Sequence, residues 1–496
     1  MIEINNMGHK IKYIIAAGLV MISTSCNDWL ELLPPGGLIR EEYWKTKQDV
    51  KAVLMAAYER FARMDQMLFI FGEIRADMLL GDINQPNREE LLMESNIFPD
   101  NSICDWSEFY SIINCANEVI KNAPLVQEID NTFTDFERQG LVAEAYFLRS
   151  LGYFYLVRLY GEVPLVLEPT ETDDAEIYVP KSTGDEVLDQ MVADLEANRS
   201  FAPSGGFSTI AENKGRASKA AFDALLADIA LWRFDYEAVV QHVERIEAIE
   251  EIELVPGSRW FEIFYPGNAL EGIFEFQFDG NLNQRNGTFG LTSRYSYRYD
   301  PSQTALNMFA SDYDSEEVVR GEGATIVEEE EDDYIIWKYV GRAPDGASLR
   351  SGNEQFSCNW IVYRYADILL MKAEALSQMN RFQEAGEILN EIRIRAGLVP
   401  TLIPNNPTAY EDAIMDERAR ELAYEGKRWF DLLRMGRRND YARRSKLIEV
   451  IISNVPPTQK RILSAKLTNP LGWYLPIYED EIERNKELVQ NPYYDY

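Results

Sequence analysis

Leu369-Leu370-Met371-Lys372-Ala373-Glu374-Ala375-Leu376 is followed, across Asn380-Arg381, by Phe382-Gln383-Glu384-Ala385-Gly386-Glu387-Ile388-Leu389-Asn390-Glu391-Ile392. Apolar residues recur every three or four positions in both halves. Leu369, Leu370, Ala373, Ala375 and Leu376 make one set; Phe382, Ala385, Ile388, Leu389 and Ile392 make the other. That period is a helix with one buried stripe. Asn380-Arg381 supplies a turn between the stripes, so residues 359–396 are predicted as a helix pair.

Small residues at close-contact positions, with an apolar residue just after the turn, resemble a tetratricopeptide repeat. Residues 225–245 echo the pattern with Leu225-Leu226, Ala230 and Tyr236-Glu237-Ala238-Val239, inside a helical block from Ser218 to about Ile249 broken near Phe234-Asp235. A looser echo starts at Ala143, within an apolar and aromatic stretch over 134–160 that Gly161 stops and Pro164 follows. Residues 47–64 carry Val50, Val53, Leu54, Ala57 and Phe61 at helical spacing. The echoes are unevenly spaced, which describes helix pairs embedded in a larger fold rather than a continuous solenoid. Residues 251–358 read differently. Ile273–Phe278 alternates like a strand, Asp279–Gly290 is an Asn- and Gly-rich loop, and Arg294–Tyr299 alternates again. The six acids Glu328–Asp333 read as a solvated loop without calcium-loop spacing. The expected fold is mainly α, with tetratricopeptide-like helix pairs and an irregular, loop-rich region of short strands.

The net charge is -33, from 49 Lys plus Arg against 82 Asp plus Glu. That balance argues against nucleic acid and against electrostatic docking on anionic lipid, both of which need clustered cations. A membrane address lies elsewhere. Basic residues Lys10 and Lys12 precede the apolar run to Ile22, then Ser23-Thr24-Ser25, then Cys26. This is the order of a secretory signal over residues 1–25 whose cleavage leaves a lipid-bearing cysteine first. Cys104, Cys115 and Cys358 remain, an odd number and no disulfide framework. His242 is the one histidine beyond the leader, read as a surface residue, so a His-rich metal site or serine triad is hard to build. The 27 Tyr, 23 Phe and 9 Trp of an exported acidic chain suit carbohydrate, whose C–H faces stack on aromatic rings.

Several blocks occur in a fixed order. Cys26-Asn27-Asp28-Trp29-Leu30-Glu31-Leu32-Leu33-Pro34-Pro35 comes first, then Tyr110–Asn117 and Ala143–Arg149. Arg364–Leu370 follows, then Glu417-Arg418-Ala419-Arg420-Glu421-Leu422-Ala423-Tyr424-Glu425-Gly426-Lys427-Arg428-Trp429-Phe430-Asp431-Leu432, and finally Leu475-Pro476-Ile477 through Gln490-Asn491-Pro492-Tyr493-Tyr494. Together they resemble the SusD/RagB family of outer-membrane lipoproteins over nearly the whole mature chain. The resemblance implies a surface-exposed lipoprotein that captures oligosaccharides, or sometimes peptides, and delivers them to a SusC-type TonB-dependent transporter. It divides the chain into residues 26–250, an N-terminal SusD-like helical region, and residues 251–496, a C-terminal SusD/RagB region containing the loop-rich 251–358.

In the resembled family the binding face comes from loops after an early helix and in mid-chain. Here those are Arg75-Ala76-Asp77 through Asn84-Gln85, and Asp279 through Tyr299. The candidate ligand residues are therefore Arg75, Asp77, Asn84, Asn281, Asn283 and Arg285, with Tyr295, Tyr297 and Tyr299 on one face if their segment is a strand. That face is either a stacking platform or buried core. Glu417, Arg418, Glu421, Glu425, Arg428 and Asp431 recur at one-turn spacing and read as structural ion pairs on a helix face, as do Arg364 and Asp367. No catalytic block, cofactor motif or metal-ligand spacing is evident, so the chain is not expected to be an enzyme. The competing readings are a surface glycoside hydrolase, which needs two carboxylates at a set separation, and a helical-repeat scaffold binding only protein.

Overall fold

The computed structural model describes residues 43–81, 90–170, 178–292, 299–311, 320–331, 333–343 and 348–495. Helix dominates, 59% against 8% strand, so the protein is mainly α as its periodicity predicts. The expected helix over 47–64 is α1 (Lys47–Ala62), opened by a Thr46–Asp49 capping box. Next come α2 (Asp65–Glu73), α3 (Ser107–Ile129) and α4 (Asp135–Tyr160). A Thr134–Glu137 capping box starts α4, and Gly161, at φ 80°, ends it where the sequence predicts. Then follow α5 (Gly184–Asn198), α6 (Lys219–Trp232) and α7 (Tyr236–Glu247), with Phe234 at φ 64° forming the break.

The central helix pair is α8 (Tyr365–Gln378) and α9 (Phe382–Arg395), turned by Asn380 at φ 60°. It packs on α6 and α7, which joins the two repeat-like pairs. The chain then forms α10 (Pro407–Glu421), α11 (Arg428–Tyr441), α12 (Arg444–Ile451) and α13 (Pro457–Leu467). Among the described residues are also short helices, such as Gln303–Ser311, and four short antiparallel ribbons. Three concern the site: β1 (Leu79–Gly81) with β3 (Tyr299–Pro301), β2 (Gly272–Phe276) with β6 (Trp360–Arg364), and β4 (Ile326–Glu330) with β5 (Asp333–Ile336).

Four expectations need correction. The helix predicted from residue 359 starts at Tyr365, because Trp360–Arg364 pairs with Gly272–Phe276. All five residues of each strand are buried, so burial does not follow the alternation read at Ile273–Phe278. The acidic run is a hairpin, with Glu328 opposite Tyr334 and Glu330 opposite Asp333, and its glutamates alternate toward solvent. His242 is buried, its Nδ1 lying 3.2 Å from Asp223, whose carboxylate also pairs with Arg199 and Arg245. Trp260 and Trp337 are both core residues.

The acid- and arginine-rich block forms ion pairs, but most of them are not local. The helix ends at Glu421, and Tyr424 (φ 65°) and Gly426 (φ 71°) turn the chain. Fully buried Arg364 donates to Glu271 at 2.5 Å, to Glu421 at 2.7 Å and to Glu425 at 2.8 Å. Arg418 bridges Asp431 and Asp367, and Arg434 joins Glu374 to Asp431. A buried guanidinium is tolerable only when its donors are met, so each arginine ties together elements distant in sequence.

Candidate functional site

Helix α2 brings the two expected ligand segments together. At its start Asp65 Oδ2 accepts from Gly287 N–H at 2.7 Å, Thr288 N–H at 2.8 Å and the Thr288 hydroxyl at 2.9 Å. Gln66 Nε2 donates to the Gly287 carbonyl at 2.6 Å. Burial raises the Asp65 carboxyl to about 6 against these same hydrogen bonds. At the other end of α2 the chain runs through Arg75 and Asp77 into β1, which pairs Leu79 with Pro301, Leu80 with Asp300 and Gly81 with Tyr299. The segment after the early helix and the end of the mid-chain segment are therefore one hydrogen-bonded ribbon.

The individual candidates divide. Arg75 is buried, donating to the Trp473 carbonyl at 2.6 Å and the Gly472 carbonyl at 2.9 Å while lying 4.3 Å from the Trp429 ring centroid. Asp77 is buried against Arg428. Both positions are structural, because Arg75 donates to internal carbonyls and Asp77 pairs with buried Arg428. Tyr299 is 1% exposed, with its ring 6.3 Å from Phe69, so it is core rather than a platform. Asn84, Tyr295 and Tyr297 lie outside the described residues. Asn281, Asn283 and Arg285 are exposed on a tight loop closed by the Asp279–Gln284 bridge, with Asn283 at φ 61° and the Arg285 guanidinium 4.6 Å from the Phe356 ring. Gly280 is required there, since a Cβ would collide with the Asn353 carbonyl.

Beside β1 lies a cleft of about 480 Å³. Leu79, Leu80 and Gly81 form one wall; Ile451, Val455 and Ile462 form the other. Glu94, Asn96, Gln459 and Lys466 supply polar groups. Lys466 Nζ donates to the Glu94 carbonyl at 3.0 Å and to Asn96, and burial lowers its pKa. Asn454 donates to the Asp77 carbonyl, tying the second wall to the lead-in of β1. No aromatic ring lines this cleft among the described residues, so its grip is aliphatic contact plus hydrogen bonds from the polar groups.

Two site features escaped the sequence reading. The wall from residues 451–466 carries no motif; the apolar side chain of Ile462, 59% exposed on a helix, is the nearest thing to a signal. Asp300 is half-buried opposite Leu80, raised to about 6 by burial and by the nearby Asp333. Its Oδ1 is buried without a hydrogen-bond partner among the described residues. An acid between Tyr299 and Pro301 gave no hint that it would sit inside a strand.

Comparison with known proteins matches this architecture. Residues 271–494 fit the model described as the SusD family, and residues 28–231 fit one described as starch-binding associating with outer membrane. SusD-like protein P38 of Formosa agariphila is 28% identical, over 98% of this chain and 100% of the relative. A SusD superfamily structure from Bacteroides vulgatus superposes with a TM-score of 0.74 at 19% identity, covering 91% of this chain and 100% of the other. A laminarin-binding SusD-like protein gives 0.72 at 21% identity, with coverage of 91% and 100%. The chain belongs to the SusD/RagB family.

Proposed function

We propose that this protein is a cell-surface nutrient-binding lipoprotein, anchored through Cys26, that captures oligosaccharides and hands them to a SusC-type TonB-dependent transporter in the outer membrane. The observation that carries this reading is the convergence of both loop segments on α2, beside a cleft of about 480 Å³. The exposed Asn281, Asn283 and Arg285 offer hydrogen-bonding groups to sugar hydroxyls. Family membership supports carbohydrate as the ligand, as do the starch-binding description of the N-terminal match and the laminarin ligand of a similar structure. The two matched stretches also support the division into regions 26–250 and 251–496.

Capture without cleavage is the expected behaviour. The test is calorimetric titration of the mature protein with laminari- and malto-oligosaccharides, followed by chromatography of the ligand. Binding with intact ligand supports the proposal. Cleavage products would transfer the role to a hydrolase, with Asp300, raised to about 6 beside Asp333, as the first acid to replace.

A further inference from the structure

A second pocket, of about 360 Å³, opens where four helix ends meet: those of α4, α6 and α11 and the start of α5. Leu471, Tyr474 and Pro492 close it. It shares no lining residue with the cleft beside β1. Its size falls in the small-molecule range, about 300–1,000 Å³.

Arg437 is the unusual group. Its guanidinium lies 4.2 Å from the centroid of the buried Trp232 ring and donates Nη1 to the Trp232 carbonyl at 3.2 Å. Its helix neighbours Arg434 and Arg438 are committed to Glu374, Asp431 and Glu411. No carboxylate among the described residues pairs with Arg437. Stacking on Trp232 fixes the plane of the guanidinium without using up its remaining N–H donors. On the opposite wall Lys181 neutralises Glu162 at 2.9 Å, and Thr183 and Glu186 are used in capping α5. Exposed Asp185 is the one lining acid without a cationic partner among the described residues. Val157, Leu188 and Leu471 give the pocket an apolar wall.

A planar guanidinium with donors to spare recognises carboxylate, and an apolar wall at this scale suits the C–H face of one sugar ring. We propose that this pocket is a second ligand site that takes a monosaccharide-sized carboxylate, a uronate, with Arg437 binding its carboxylate. It is separate from the oligosaccharide cleft and stands or falls independently of it.

The test is titration of the mature protein with glucuronic acid, its methyl ester, glucose and a glucuronate-terminated disaccharide. Glucuronic acid should bind at least about tenfold more tightly than the ester or glucose, one charge-assisted bond being worth that factor. Binding of the disaccharide marks a chain end as the ligand; its exclusion marks the free sugar. Arg437→Gln should weaken binding by about tenfold or more at unchanged melting temperature. Asp185→Asn should tighten it by removing a like charge. Ile462→Trp, in the other cleft, should leave it unchanged. Equal affinity for acid and ester, no binding at tens of millimolar, or normal binding by a folded Arg437→Gln protein would overturn the proposal. If Arg437→Gln fails to fold, Leu471→Trp at the 43% exposed mouth decides: binding must be lost, and undiminished binding overturns the assignment.

Discussion

Arg428 grips Asp77 with both arms of its guanidinium, Nε to Oδ1 at 2.7 Å and Nη2 to Oδ2 at 3.0 Å, although 351 positions separate them. Both side chains are buried. The pair fastens the acid- and arginine-rich block to the segment that becomes β1, and so to one wall of the cleft. Arg428→Ala leaves a buried carboxylate unpaired and should cost about 3–5 kcal/mol, read by chemical denaturation. Arg428→Ala with Asp77→Ala should cost less than the sum of the single changes. Strict additivity would show that the two side chains do not act as a pair.

Stability should pass through a maximum near pH 5, because two sets of buried acids pull in opposite directions. Burial raises the Glu73 carboxyl from 4.5 to about 8, while its Oε1 accepts from Gly426 and Lys427 N–H groups. Between those values the folded protein holds a proton that the unfolded chain has released, so stability falls as pH rises toward 8. At Glu374 burial also disfavours charge, but Arg434 and Arg438 outweigh it and hold the carboxyl at about 2. That contribution is present above the unfolded value and lost as pH falls toward 2. Glu73→Gln should flatten the decline between about pH 5 and 8, by on the order of a few kcal/mol at about 1.4 kcal/mol per pH unit. Denaturation midpoints across pH check this; an unchanged slope refutes it.

Tyr299→Ala removes a buried ring beside Phe69 and should cost about 3–5 kcal/mol, like other large-to-small core changes. Asn281→Ala should leave thermal melting within about 0.5 kcal/mol of the parent, as an exposed loop position does. Thermal melts of the two variants should therefore separate clearly, and similar melts would contradict the burial assignment.

Much of this fold was legible because helices advertise themselves. The stripe from Leu369 to Ile392, the stop at Gly161 and the break near Phe234 all appear at their expected places. The strands were less legible. Trp360–Arg364 is buried on both faces, so its apolar run joins the helical pattern that follows, and only a distant partner strand, with Phe276 opposite Trp360 and Gly272 opposite Arg364, makes it a strand. The site was half legible. Loop positions pointed to two segments that the β1–β3 ribbon joins, but Arg75 and Asp77 looked like ligand groups because a buried polar side chain and a solvent-facing one have the same composition. What separates them is a partner such as Arg428 or Trp473, far along the chain.

Cys26→Ala should release the protein from the membrane fraction without changing its melting temperature. Persistence in the outer-membrane fraction, in cells lacking the proposed transporter, would show that something other than lipid holds it.

The most direct test of oligosaccharide capture is a glycan array probed with the mature protein and with Ile462→Trp, which places an indole in the cleft opposite Leu80. The parent protein should bind oligosaccharide, and the variant should lose that binding at unchanged melting temperature. A silent array, or binding undiminished by the filled cleft, would contradict it.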